Sequence, residues 1–370
     1  MQQSAAVEQV AHVIAPAQTG GAETVVLALA TAAADRCWVA ALNQEGTSLA
    51  LVDALRRRGV VVDEINCGRR RYFAEVRALE RRLRARGARL VHTHVYHGDW
   101  VGYLAARRVG LPVVATVHGF TGGDLKNRLF QSADRWLLRR FDAVIAVSSP
   151  LYEFLAHSGV PRDRLHLVQS GLMRVEASAT RAQARQALEL PPDERVIGWV
   201  GRLSPEKGPD LFLQALAGEH LGAGAVVIGD GPEGERLGAL ARTLGLREPA
   251  LTLLGYRPEA ARLLPAFDVL ALTSRTEGTP IVLLEAVAAG VPIVCFATGG
   301  IPDLLDRDCA WLVAPGDLNA LRAALKNALA DPEEATRRAD RARTKLEDRL
   351  DSDRWIRRVW DVYRRVAPQC

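Results

Sequence analysis

Short apolar runs alternate along the chain with stretches of helical spacing. Runs near Val10–Ala15, Trp38–Leu42, Val60–Ile65, Leu90–Val95, Val113–His118 and Ala143–Val147 read as strands, with helices between them. Regular βα repetition of this kind predicts a parallel, doubly wound sheet. The composition turns polar and loop-like from about Gln169 to Pro192, and a second βα series opens at Val196. This divides the chain into an amino-terminal domain (1–175), a carboxy-terminal domain (176–350) and a closing segment (351–370). A helix from Asp353 to Val366 puts Trp355, Val359, Tyr363 and Val366 on one face, a stripe that needs a partner surface.

Two segments of the second series carry chemistry. The run Arg195–Gly201 reads as a buried strand, and Lys207–Leu216 takes up helical spacing with Leu211, Phe212, Ala215 and Leu216. The loop Gly201-Arg-Leu-Ser-Pro-Glu-Lys-Gly208 therefore lies at the carboxyl edge of a sheet, where α/β proteins bind ligands. Arg202 supplies a planar fork and Lys207 a mobile point charge, a pair suited to phosphate oxygens. Alone, the two cations fit a solvated loop equally well. The second segment breaks that tie. Asp268–Thr273 reads as a strand, Ser274–Thr279 as a loop, and Pro280 as the first residue of a helix. The N–H groups of Ile281 and Val282 are then orphan donors at a positive helix end. Glu277 precedes that helix, and Glu285 lies inside it among Ile281, Leu283, Leu284, Val287 and Ala288. An acid in such apolar company must find donors, and a vicinal diol supplies two.

These segments, with Val227-Ile-Gly-Asp-Gly-Pro232, Leu254-Gly-Tyr-Arg257 and Ala289-Gly-Val-Pro-Ile-Val294, follow one another as in the retaining glycosyltransferases of family four. The amino-terminal half adds Gly20-Gly21-Ala-Glu23, His92-Thr-His94 and Val117-His118-Gly119-Phe120, so the resemblance spans nearly the whole chain. It implies an α/β chain of the GT-B fold, two Rossmann-like doubly wound parallel-sheet domains facing a central cleft, with the last helix crossing back to the first domain. Glu277 and Glu285 resemble the family's E-x7-E pair, Glu277 reading a donor-sugar hydroxyl and Glu285 holding the nucleotide ribose. Arg202, Lys207 and the Ile281 and Val282 amides would cradle the diphosphate, beside Gly229, Thr279 and Pro280. The backbone around Tyr256 and Arg257 would meet the base, Gly20 and Gly21 would approach the phosphate, and His118 would stand beside the donor sugar. His94, His97 and Asp99 are expected to line the acceptor side.

The implied reaction is retaining transfer of a hexosyl unit from a UDP- or GDP-sugar to an acceptor hydroxyl, on a saccharide or lipid-linked saccharide. His118, Arg202, Lys207 and Glu277 are the catalytic candidates, and catalysis rests on stabilising the departing diphosphate. No cofactor and no metal are required where cations already do this. The chain departs from the family pattern at Ser170-Gly171, commonly Asn-Gly, with Met173 near an acidic position. Thr279-Pro280 replaces the common Phe-Gly and removes one backbone donor, leaving the phosphate to Ile281 and Val282.

Of 370 residues, 48% are hydrophobic, enough for two cores. Five scattered cysteines fit reduced cytosolic thiols. The amino end shows no signal-peptide pattern, and the longest apolar run is broken by Glu285. The expected place is the cytoplasm, with the inner face of the plasma membrane as a peripheral site. Residues 1–170 hold 22 Lys/Arg against 15 Asp/Glu, with nine arginines between Arg69 and Arg89. There Tyr72, Phe73, Val76, Leu79 and Leu83 fall at helical spacing. The stripe itself suits packing on a sheet, while the excess of arginine suits an anionic membrane surface. Two other readings stay open: a nucleotide-sugar epimerase on the same fold, and a basic nucleic-acid binder, which lacks the expected aromatic stacking platform. Asp306-Arg-Asp308 imitates a metal motif in a surface turn, and His92, His94, His97 and Asp99 imitate a metal cluster.

Overall fold

A computed structural model describes residues 9–16, 20–43, 49–68, 71–119, 125–172, 179–217 and 221–367, without the side chains of 125–131. Phe120, Arg69, Arg70 and Met173 lie outside the described residues. The chain forms two compact units, Met1–Met173 with Asp353–Cys370, and Arg174–Ser352.

The first unit is a seven-stranded parallel sheet ordered β3-β2-β1-β4-β5-β6-β7. Its strands are β1 (Val10–Ile14), β2 (Cys37–Leu42), β3 (Val61–Ile65), β4 (Leu90–His94), β5 (Val113–Val117), β6 (Ala143–Ala146) and β7 (Leu165–Leu167). Both faces are covered, as unbroken apolar runs require. Ala11, Val13 and Val91 pack with Leu79, Leu83 and Val101 on one side, whereas Ile14 and Val39 pack with Val26, Ala30 and Leu55 on the other. The stripe of the Tyr72–Ala85 helix is thus core: Val76, Leu79 and Leu83 are buried, while Tyr72 and Phe73 stand exposed. The last helix, Ser352–Val366, buries Trp355, Val359, Trp360, Val362 and Tyr363. Its Tyr363 hydroxyl reaches His92 Nδ1 at 2.6 Å, and Arg36 lies over the Trp360 ring.

The second unit is a six-stranded parallel sheet ordered β10-β9-β8-β11-β12-β13. It comprises β8 (Val196–Val200), β9 (Gly224–Ile228), β10 (Leu251–Leu253), β11 (Val269–Leu272), β12 (Ile293–Phe296) and β13 (Trp311–Val313). Its core gathers Ile197, Trp199, Phe212, Val227, Ala271 and Phe296 under Leu321 and Leu325.

Three expectations are corrected. The helix expected from Lys207 is split into a 3-10 turn, Pro205–Lys207, and a helix, Pro209–Leu216. Gly208 between them has φ +63°, and Pro209 has no N–H with which to continue a helix. Pro280 is the N-cap of the Ile281–Ala288 helix and not its first residue. The polar stretch 169–192 holds a helix, Arg181–Ala187, opened by a reciprocal Thr180/Gln183 capping box. Arg185 from that helix is buried against Asp268 and the carbonyls of Ala266, Pro191 and Pro192.

Candidate active site

In the second unit the strand order reverses between β8 and β11, and a parallel sheet opens a crevice at such a switch point. The loops after β10, β9, β8, β11 and β12 follow adjacent strands and share one edge of the sheet. They carry Tyr256 and Arg257, then Gly229, then Arg202 and Lys207, then Glu277 to Val282, and finally Gly299-Gly300. Loops far apart in sequence, from Arg202 to Glu285, are thereby brought to one place.

Backbone contact locks these loops together. Gly201 N–H donates to Ile228 O, Leu203 N–H to Asp230 O, and Gly229 N–H to Gly255 O at 2.8 Å. Gly229 has φ +152°, and a Cβ there would stand 1.8 Å from Gly201 O, so no other residue fits. The Gly255 carbonyl is therefore already engaged, while Tyr256 and Arg257 beside it are exposed. Thr273 Oγ1 donates to Gly208 O at 2.7 Å and accepts from Trp199 Nε1, which ties the cationic loop to the end of β11. Arg275 adds a clamp: its guanidinium bonds both Asp210 carboxylate oxygens and Pro205 O.

Lys207 is half-buried, and its Nζ donates to both oxygens of Glu277 at 2.7 and 2.8 Å. Ser274 Oγ donates to the same carboxylate at 2.6 Å. The Glu277 side chain is only 4% exposed, so the two predicted site residues form one ion pair whose carboxylate is buried and whose ammonium side is part-open. A carboxylate has about four lone-pair sites, and three are filled here. Arg202, by contrast, is exposed, with no side-chain partner among the described residues.

Glu285 occupies a different setting from the one its neighbours suggested. Leu283, Leu284, Ala286 and Val287 turn into the core, whereas Ile281, Val282 and Glu285 lie half-open along one face of the helix. Burial pushes the Glu285 carboxyl up to about 7. No hydrogen-bond donor meets it among the described residues. This acid thus lies one turn from the orphan amides of Ile281 and Val282, which puts an acceptor and two backbone donors on one half-open face.

A family model for glycosyl transferases group 1 matches residues 180–345, and one for glycosyltransferase family 4 matches 19–172. A 2-deoxystreptamine N-acetyl-D-glucosaminyltransferase of Streptomyces fradiae is 30% identical over 300 residues, 74% of this chain and 70% of that protein. The chain belongs to the family 4 glycosyltransferases. A D-inositol 3-phosphate glycosyltransferase of Mycobacterium marinum is 31% identical over 266 residues, 65% of this chain. The match spans only 55% of that relative's length. Among solved structures, Anabaena HepE in complex with UDP-glucose superposes with TM-score 0.85 at 22% identity, covering 96% of this chain and 99% of that one. The sucrose-phosphate synthase of Thermosynechococcus elongatus gives 0.81 at 21%, covering 98% and 100%. The fold is GT-B, with two Rossmann-like parallel-sheet domains.

In this family 4 chain the first unit repeats the logic of the second, its strand order reversing between β1 and β4. Gly20 caps the helix Gly21–Ala32 after β1 in extended conformation, and Thr24 Oγ1 donates to Gly20 O. His94 ends β4, and His118 follows β5. His94 is fully buried, His118 half-buried, and their Nδ1 and Nε2 lie 3.2 Å apart. Burial depresses His118 to about 4, so its ring is neutral at pH 7. His97 and Asp99 were expected to line an acceptor surface, but both are buried with internal partners. His97 Nε2 meets Glu75 at 2.9 Å, and Asp99 accepts from Thr93 Oγ1. Both start the Val95–Val109 helix, whose inner face turns them from solvent.

The metal look-alikes resolve differently. Asp306 accepts from Lys345 Nζ and from the Asp308 and Cys309 amides, which hold it down to about 2 as a turn anchor. His92 and His94 do cluster, but with His12 of β1 instead of His97 and Asp99, their ligand atoms within 4.8 Å. Five of the six ring nitrogens in that trio already have hydrogen-bond partners. His12 was missed, though a histidine inside the apolar run Val10–Ile14 was the available signal.

Proposed function

We propose that this chain is a retaining glycosyltransferase that moves a hexosyl unit from a UDP- or GDP-sugar to an acceptor hydroxyl, without a metal, in polysaccharide or glycolipid assembly. The observation that carries the reading is Glu285, half-open, pushed up to about 7 and unmet by protein donors. A ribose diol supplies the two donors it lacks. Arg202, Lys207 and the Ile281 and Val282 amides then stabilise the departing diphosphate, each charge-assisted bond strengthening as charge develops. Glu277, held by Lys207 and Ser274, keeps one lone-pair site for a donor-sugar hydroxyl. Of the first unit, Gly20 and Gly21 suit a phosphate and neutral His118 a sugar hydroxyl. The UDP-glucose complex of HepE supports the donor class.

A thermal-shift series with UDP, GDP, ADP and their sugars tests this. A nucleotide at a hundred times its Kd stabilises by about 2.7 kcal/mol. One base should stand out, and no shift with any would defeat the reading.

The acceptor is proposed to be lipid-linked, reached by reversible docking on an anionic membrane. Phe73 is 80% exposed and Tyr72 40% at the start of the Tyr72–Ala85 helix, beside Arg71. No helix is long and apolar enough to cross a membrane among the described residues. Phosphatidylglycerol vesicles should co-sediment the protein less as salt rises and less again for Phe73→Ser. Equal partition onto neutral and anionic vesicles would favour a soluble acceptor.

A further inference from the structure

Three imidazoles of the first unit meet end to end. His12 Nδ1 lies 3.2 Å from His94 Nε2, and His94 Nδ1 lies 3.2 Å from His118 Nε2. The ring centres are 5.5 Å apart in both pairs, with planes within 27° and 28° of parallel. The centres exceed the nitrogen separation by about two ring radii, so the rings join edge to edge through N–H···N bonds and are not face-stacked. Strand register makes this possible. His12 pairs with His92 and Ile14 with His94 across β1 and β4, and His94 pairs with Thr116 on β5, two residues before His118. Burial holds His12 and His118 at about 4 and His94 well below its ordinary range, so all three rings are neutral at pH 7. His92, alongside, is occupied by Tyr363 and Thr116 and stays outside the chain.

A neutral imidazole donates from one nitrogen and accepts at the other. In a chain joined Nδ1 to Nε2 twice over, each ring's choice therefore dictates the next. Either all three carry the proton on Nδ1, or all three carry it on Nε2. The inner end decides, because His12 Nε2 is buried without a partner. A sealed bare lone pair is tolerated more often than a sealed N–H.

We infer that His12 and His94 are positioning residues that fix His118 as its Nδ1–H tautomer, so that it presents a hydrogen-bond donor at its outer nitrogen. The free imidazole prefers the opposite tautomer, which makes the assignment diagnostic. On the proposed function, which this deepens, that donor suits a sugar oxygen, and a base at this position is excluded. The tautomer itself does not depend on that reading.

Selective 15N-histidine labelling of the full chain, with long-range 1H–15N correlation at pH 7.5, reads each ring directly. His12, His94 and His118 should all show Nδ1–H patterns, with 15N–15N coupling across both hydrogen bonds. In His94→Phe, checked for folding by circular dichroism, His118 should revert to the Nε2–H pattern of a free ring. A mixed set, three Nε2–H rings, or a His118 unchanged in His94→Phe would overturn the inference. A zinc titration that shifts all three rings at stoichiometric metal would also overturn it, in favour of a metal site. If the tautomers hold but His118→Ala leaves transfer unchanged, it is the sugar-side role of His118 that fails.

Discussion

Replacing Glu285 with Gln should make the free protein more stable and the donor weaker, with both effects following pH. Carrying a glutamate from its ordinary range to about 7 corresponds to roughly 3 kcal/mol of added ionisation cost, at 1.36 kcal/mol per pH unit. Because the folded-state value is raised, the associated stability is fully present below the unfolded carboxylate range and is lost as pH rises through about 7. The wild type therefore loses stability between about pH 4.5 and 8, and Glu285→Gln does not. At pH 8 the variant should melt higher, by up to roughly 6–12 °C for a unit of this size, and at pH 4.5 the difference should vanish. Nucleotide binding runs the other way. Losing charge-assisted bonds to a diol costs about 1.5–3 kcal/mol, a fall of roughly 10- to 150-fold in affinity. The wild-type affinity should weaken as pH falls below 7, while that of the variant stays flat. Differential scanning calorimetry and isothermal titration across pH 5–8 read both quantities. A variant no more stable than wild type at pH 8, or one that binds nucleotide with unchanged affinity, would refute the reasoning.

Three further outcomes follow from the same geometry. Lys207→Ala should abolish most transfer and also lower the melting temperature, because it strands the Glu277 carboxylate at 4% exposure, a cost of about 1–3 kcal/mol; adding Glu277→Gln should restore stability in a melt but not transfer in a rate assay. Arg275→Gln, which removes the clamp on Asp210 and Pro205, should raise the donor KM by roughly tenfold for about 1.4 kcal/mol of lost loop order, with little change in kcat. Asp134 is buried with one oxygen unpartnered, and burial pushes its carboxyl up, as burial and the nearby Asp134 do for Asp99, so the pair's contribution is present at low pH and lost as pH rises; Asp134→Asn should gain stability over wild type at pH 8 in denaturant titrations and none at pH 4.

Local pattern made much of this molecule legible, and non-local pairing explains most of what it hid. Strands such as Val10–Ile14 and Val269–Leu272 are solid apolar runs because both faces of each sheet are covered, and that signal is local. β7 gave no such signal, since it is a three-residue edge strand with only Leu165 buried. The Arg181–Ala187 helix was legible in its Thr180/Gln183 box, yet its polar surface reads as loop because its main anchor is the buried Arg185. The cationic loop and the Glu277–Glu285 segment were placed at strand ends by pattern alone. That Lys207 would spend its charge on Glu277, 70 residues away, depends on strand order, as does the junction of His12 with His94. His97 and Asp99 show the reverse error, polar residues near a motif that the Val95–Val109 helix turns inward.

Retaining, metal-free transfer can be followed at the anomeric carbon. The full chain, incubated with UDP-, GDP- or ADP-hexose in EDTA, is followed by real-time proton NMR. One donor should be consumed, by transfer or by slow hydrolysis, with the α-anomer appearing first and at an unchanged rate when magnesium or manganese is added. First appearance of the β-anomer, accumulation of an epimeric sugar, dependence on added metal, or no consumption of any donor would contradict it.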